Sequence, residues 1–193
     1  MPLVFATRND HKREEVAALL GLPLATLDEV GIPEDPPETQ DTFTGNALQK
    51  ARFAYARCGQ WTVADDSGLE VDALGGRPGV HSKRFSPEET SEANNALLLA
   101  MLGDQPDRRA RFRCVVAVVG PGDQEHVLEG TCEGSIGPSP RGDQGFGYDP
   151  LFLPDAAPGR TLAELTMAEK NALSHRGRAF GQLPALLARL GIR

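Results

Sequence analysis

Residues 61–76, WTVADDSGLEVDALGG, decide how this chain is read. Trp61–Asp66 reads as a short strand that ends in two adjacent carboxylates, and a Gly-rich stretch follows with a further short strand near Glu70–Val71. The end of a strand is where open α/β sheets place ligands. Side chains alternate along a strand, so Asp65 and Asp66 are expected to face opposite ways, and one of them suffices for a metal. A hard divalent cation takes oxygen ligands, and a carboxylate beside it can accept a proton from an attacking water. The other reading of VADDSG is an acidic strand-end turn in which both carboxylates cap the backbone.

Upstream, residues 2–6 (PLVFA) read as a buried first strand. A helix over about 10–20 follows, with Val16, Leu19 and Leu20 on its apolar face and Gly21 as its stop. Residues 22–27 fit a second short strand, and 28–41 form an acidic, Pro-rich surface loop. A helix over about 42–58 carries Phe43, Ala47, Ala51, Ala54 and Cys58 at helical spacing, closed by Gly59.

Downstream, a helix is expected over 87–102, with Pro87 at its first position and Gly103 as its stop. Residues 111–119 and 125–136 read as strands of an antiparallel hairpin. A loop over 137–150, a strand fragment at 151–153, a short helix in TLAEL and a last helix from about Ser174 complete the chain. Pro184 predicts a break near 180–184. Helices that interleave with strands, plus a central hairpin, indicate an α/β or α+β fold with a mixed sheet and no clean domain boundary.

The 193 residues are 40% apolar and 24% charged, the composition of a globular protein. A net charge of −7 argues against broad nucleic-acid binding. No apolar run approaches the roughly 20 residues of a membrane span, and MPLVFATRND lacks a signal-peptide signature. Cys58, Cys114 and Cys132 form no CxxC pair, so a reducing cytoplasm is expected.

Three further stretches carry chemistry. In TRNDHK (7–12), Asn9 or Asp10 can cap the helix, with Lys12 on its first turn. A cation there is unfavourable against the helix dipole unless an anion binds, so the turn is either a phosphate site or a capped surface helix with a snorkelling lysine. Lys50 lies on the apolar edge of its helix and is open to the same two readings. In GDQGFGYDP (142–150), glycines allow close backbone approach around Phe146 and Tyr148; one ring could stack on a base, or both could belong to the core. In EKNALSHRG (169–177), Ser174 can cap a helix that begins with His175 and Arg176, and arginine can donate to a purine keto oxygen.

In this order, ATRNDHKREE, ETQDTFTGNALQKAR, ADDSGLEVDALGGRPGVHSKRFS, GFGYDPLF and LAELTMAEKNALSHRG resemble the inosine triphosphate pyrophosphatase family, the non-standard purine nucleoside triphosphate pyrophosphatases. The resemblance spans nearly the whole chain. It implies a single domain over 1–193 with an α/β fold: an elongated, two-lobed mixed β-sheet flanked by helices, a nucleotide cleft between the lobes, and a homodimer. It implies magnesium-dependent hydrolysis of ITP, dITP and XTP to the monophosphate and pyrophosphate.

By that likeness Thr7, Arg8, Asn9, Asp10, His11 and Lys12 line the triphosphate site. Glu38 and Asp66 match magnesium ligands, and Asp66 also matches the proton acceptor, supported by Asp65. Ser67 contacts substrate. Phe146, Gly147, Tyr148 and Asp149 hold base and sugar, Lys50 and Lys170 add phosphate or base contacts, and His175 and Arg176 read the 6-keto group. Three positions depart from the pattern: Arg8 where a small residue is usual, Gly45 where many members have Glu, and His81 where Tyr is common. The competing readings are a Maf-like nucleotide pyrophosphatase and a non-catalytic nucleotide-binding protein. The first is opposed by SHRG and GFGYD, the second by the paired Asp65 and Asp66.

Overall fold

The computed structural model describes residues 3–192. One mixed sheet holds six strands in the order β2-β1-β3-β4-β5-β6. They are β1 (Leu3–Phe5), β2 (Leu24–Ala25), β3 (Thr62–Val71), β4 (Arg109–Gly120), β5 (Gln124–Ile136) and β6 (Phe152–Pro154). β1 runs parallel to both β2 and β3, and β6 is antiparallel to β5. β4 and β5 are sheet neighbours joined by residues 121–123 alone, a link that only an antiparallel pair permits. The expected hairpin and mixed sheet are both present. The helices are α1 (Asp10–Leu20), α2 (Phe43–Cys58), α3 (Ser91–Leu102), α4 (Met167–Leu173), α5 (His175–Phe180) and α6 (Leu183–Arg189).

The chain divides into two compact units. The first takes residues up to Asp66, Cys114–Gly130 and Arg176 onward; the second takes Ser67–Arg113 and Thr131–His175. In the first, Leu3 and Phe5 of β1 pack with Val16, Val63 and the α5–α6 residues Phe180, Leu183 and Leu187. The rings of Phe5 and Phe180 meet edge-on, 5.7 Å between centroids. Residues Cys114–Val119 of β4 are buried without alternation, as in a strand covered on both faces. In the second unit, Leu69 and Val71 of β3 join Leu98, Phe112, Ile136 and Phe152 in a separate core.

Local chemistry sets the helix ends. Asn9 Oδ1 accepts from the Lys12 N–H, and Thr42 Oγ1 accepts from the Gly45 N–H. Gly21 and Gly59 close α1 and α2 in the left-handed conformation expected of C-terminal glycines. Gly45 answers to a different constraint: a Cβ there would stand 2.7 Å from Cβ of Gln40.

Several expectations need correction. The strand expected to end at Asp66 runs on to Val71, so the two carboxylates lie within β3 and not at its end. Leu69 and Val71 bury on a period of two, and the Leu69 N–H donates to Ser82 Oγ, which sustains the strand where Ser67-Gly68 suggested a turn. The third helix begins at Ser91 rather than 87. Glu89 has φ 54, which no helix accommodates, and Thr90 Oγ1 caps the helix by accepting from Ala93 N–H. α4 was missed, although Thr166 and Glu169 form the reciprocal capping box that the sequence TMAE encodes. The expected break falls after Phe180, with Pro184 in the first turn of α6, where its missing N–H costs nothing. The first strand is found at Leu3–Phe5; Pro2, also assigned to it, lies outside the described residues.

Candidate functional site

The first unit builds a buried cluster of alternating charge. After β1 the chain turns at Thr7, whose Oγ1 accepts the Asn9 N–H, and enters α1. That turn aims Lys12 at β3, where its Nζ lies 2.9 Å from Asp65 Oδ2. Arg176, at the start of α5, places Nη2 3.8 Å from the same oxygen and Nη1 2.5 Å from Oε2 of Glu15 on α1. Burial alone would raise the pKa of Asp65. The charges of Lys12, Arg176 and Lys50 outweigh it and hold the carboxyl far below its usual range.

Asp66 differs. Burial raises its pKa, and Lys50, Lys12 and a hydrogen bond from Asn46 only partly offset the rise. Asn46 Nδ2 donates to Asp66 Oδ2 at 3.0 Å, while Asn46 Oδ1 accepts the Gln40 N–H at 2.9 Å. Lys50 Nζ donates to Glu38 Oε1 and stands 4.0 Å from Asp66 Oδ1. Lys50 does not snorkel, because it is only 5% exposed. Burial pulls its pKa down, but Asp65, Glu38 and Asp66 keep it charged. Burial also opposes ionisation of Glu38, and the Lys50 charge and hydrogen bond overcome it.

The 7–12 turn does not act as a block. Asn9 and Lys12 enter the cluster through the cap and the ion pair. Asp10 and His11 are exposed, and Asp10 pairs with Arg13. Arg8 turns to the acidic loop, with Nη1 2.8 Å from Asp28 Oδ1, Nε 2.9 Å from Asp35 Oδ1, and Nη2 donating to the Ile32 carbonyl at 2.7 Å.

The second unit holds Ser67, Phe146–Asp149, Lys170 and His175. Asp149 Oδ2 accepts the Phe146 N–H at 2.9 Å and Lys170 Nζ at 2.6 Å. The ammonium also sits 5.1 Å from the Phe146 ring centroid. Gly145 has φ 74, and a Cβ on it would lie 2.1 Å from Asp149 Oδ2, so only glycine lets the carboxylate fold back under the turn. Asn95 Nδ2 donates to the Gly147 carbonyl at 3.0 Å, and the Tyr148 hydroxyl donates to the Ser82 carbonyl at 2.7 Å. Tyr148 is therefore a core residue, whereas Phe146 is half-buried. His175 stacks on Phe112, with 4.7 Å between centroids and 11° between planes.

Glu15, Asn46 and Asn95 escaped the sequence reading. For Glu15 the available signal was its position three residues after Lys12, which places both on one helix face. Among the described residues, no group of three or more His, Cys, Asp or Glu side chains converges as a metal site. Glu38 and Asp66 supply two hard oxygen donors already gathered around one cation, Lys50. No helix among the described residues is long and apolar enough to cross a membrane.

Fold and site together define an α/β protein built around a buried, ion-paired carboxylate centre. The chain belongs to the Ham1 family, whose profile matches residues 3–186. It is 51% identical to the dITP/XTP pyrophosphatase of Mycolicibacterium paratuberculosis, over 96% of this chain and 95% of that one. Among solved structures it is similar to a HAM1 protein from Coxiella burnetii, with TM-score 0.88 and 39% identity over 98% of this chain and 99% of that one. It is also similar to the nucleoside-triphosphatase / dITP/XTP pyrophosphatase of Mycobacterium abscessus, with TM-score 0.78 and 47% identity over 95% and 98%. The family resemblance drawn from the motifs is borne out.

Proposed function

We propose that this protein hydrolyses non-standard purine nucleoside triphosphates (dITP, XTP and ITP) to the monophosphate and pyrophosphate. The observation that carries the reading is the centre around Asp66, a carboxyl made more basic by burial with Lys50 and Lys12 close enough to act on it. Such a group suits proton acceptance from water, and the lysines suit a polyphosphate. Near-full-length relatives named dITP/XTP pyrophosphatase support the same reading.

In the proposed reaction a water oxygen attacks the α-phosphorus as its proton passes to Asp66. The bond between the α-phosphorus and the oxygen bridging to the β-phosphate breaks, and pyrophosphate departs with that oxygen. Asp65 stays ionised and holds the Lys12 ammonium in place. Asn46 orients Asp66, and Lys50 offsets charge building on the phosphates. Magnesium fits the Glu38 and Asp66 oxygens, a donor set of the kind that commonly binds it together with substrate phosphates and water. When bound it would neutralise polyphosphate charge.

Phe146 is the proposed stacking platform for the purine, and His175 and Arg176 the proposed donors to the 6-keto group. Adenine presents a donor there, and each buried donor it leaves unpaired costs about 1–3 kcal/mol. Two such losses give discrimination of about 30-fold to 10⁴-fold. The same reading includes action in the cytoplasm as a homodimer, which sedimentation would check.

The test is pyrophosphate release from dITP and dATP, with and without magnesium, for the wild type and Asp66→Asn. The reading predicts fast, magnesium-dependent release from dITP alone, cut by about 10²–10⁴ in the variant. Equal rates on both nucleotides would sink the 6-keto specificity, and binding of dITP without turnover would replace the enzyme with a nucleotide-binding protein.

A further inference from the structure

The loop that carries Glu38 has no helix or strand between Ala25 and Phe43 to hold it. Its downstream end is fixed by α2: the Thr39 N–H donates to Gln49 Oε1 and the Gln40 N–H to Asn46 Oδ1. Its upstream part is a compact turn in which Ile32 N–H donates to the Leu27 carbonyl, with both side chains buried. Between these two anchors the chain must present Glu38 to Lys50. Arg8 closes that gap. Its guanidinium collects Asp28, the Ile32 carbonyl and Asp35, so the last upstream anchor stands only three residues before Glu38. A planar fork is the cationic side chain best able to satisfy three acceptors in fixed directions; a lysine offers one point charge.

We infer that Arg8 is a positioning residue: it pins the acidic loop at Asp28, Ile32 and Asp35 and thereby fixes the Glu38 carboxylate beside Lys50. This rests on the proposed pyrophosphatase reading for its catalytic consequence, but not for the tether itself. It also gives the bulky residue of the TRN turn a role other than phosphate binding. Since Asp28 and Asp35 are largely exposed, the tether is sensitive to salt, while the bond to the Ile32 carbonyl is less so.

Amide hydrogen exchange on the free protein tests the tether without any substrate. In Arg8→Ala, exchange at the hydrogen-bonded loop amides of Gly31, Ile32 and Thr39 should accelerate by about tenfold while the amides of α2 stay unchanged. Asp35→Ala should give a smaller acceleration over the same residues, and Arg8→Lys should recover only part of the protection. In dITP hydrolysis the Arg8→Ala loss should fall on kcat, about three- to tenfold, with KM within about twofold. Unchanged exchange in both alanine variants would overturn the tether. A rise in KM with unchanged exchange would make Arg8 a phosphate ligand instead. If the wild type fails to turn over dITP, the functional reading falls and the exchange result still decides the tether.

Discussion

Asp65 and Asp66 are consecutive residues of β3, both buried, and their carboxyls are displaced in opposite directions. Lys12 touches Asp65 directly and Arg176 adds its charge, whereas Asp66 receives a neutral donor from Asn46 and a more distant Lys50. One carboxylate is thus an ion-paired strut, and the other binds a proton more readily than an ordinary aspartate.

The strut should be visible in stability. The folded pKa of Asp65 lies below its unfolded value, so its ionised form stabilises the fold. That contribution is complete above the ordinary carboxylate range near pH 4 and is lost as pH falls toward the folded value. Asp65→Asn takes from Lys12 its buried partner, while Arg176 keeps Glu15, and should cost about 3–5 kcal/mol in urea unfolding at pH 7. The gap to the wild type should narrow on acidification.

The opposite sign holds for Asp66. Its folded pKa lies above the unfolded one, so stability falls as pH rises through the folded value. At neutral pH the ionised carboxylate is a cost to the fold. Asp66→Asn, measured without added metal, should melt at a higher temperature than the wild type at pH 7 and at the same temperature below about pH 3.5, near the carboxylate range. Its turnover should fall by about 10²–10⁴, the usual contribution of a general base.

Gly145→Ala probes the aromatic turn. The added methyl must displace Asp149, and with it the Lys170 ammonium and the Phe146 N–H. KM for dITP should rise by about tenfold or more while magnesium dependence stays as in the wild type. A variant with normal KM would remove the turn from substrate binding.

Gly45→Ala should not bring the ~1 kcal/mol gain usual for a helix glycine. The new Cβ meets Cβ of Gln40 at 2.7 Å and Thr42 Oγ1, the cap of α2, at 3.0 Å. Urea unfolding should show a loss. The larger Gly45→Glu should also move Gln40 away from Asn46.

Much of this fold was legible because its signals are local. Thr42 and Gly59 bracket α2, and a three-residue link joins β4 to β5. β3 was cut short because Ser67-Gly68 has the composition of a turn, and only tertiary burial, of Val63 in one core and of Leu69 and Val71 in another, holds it extended. The site divided the same way. Lys12, Lys50 and the two aspartates announced themselves as charges on apolar faces or at a strand. Glu15 and Asn46 did not, because each matters through a partner at least twenty residues distant, 161 for Glu15 and 20 for Asn46. Arg8 read as a phosphate contact because its neighbours in sequence are the turn, whereas its acceptors come from the loop.

The first unit's core joins Leu3 and Phe5 to Phe180, Leu183 and Leu187. A ribosome delivers the first of these residues long before the last. β1 therefore leaves the exit tunnel as an apolar strand whose covering helices are still unmade, and this core cannot consolidate until Phe180, Leu183 and Leu187 have been made. That also makes loss of residues 179–192 a folding lesion, although none of them is among the charged side chains gathered around Asp65 and Asp66.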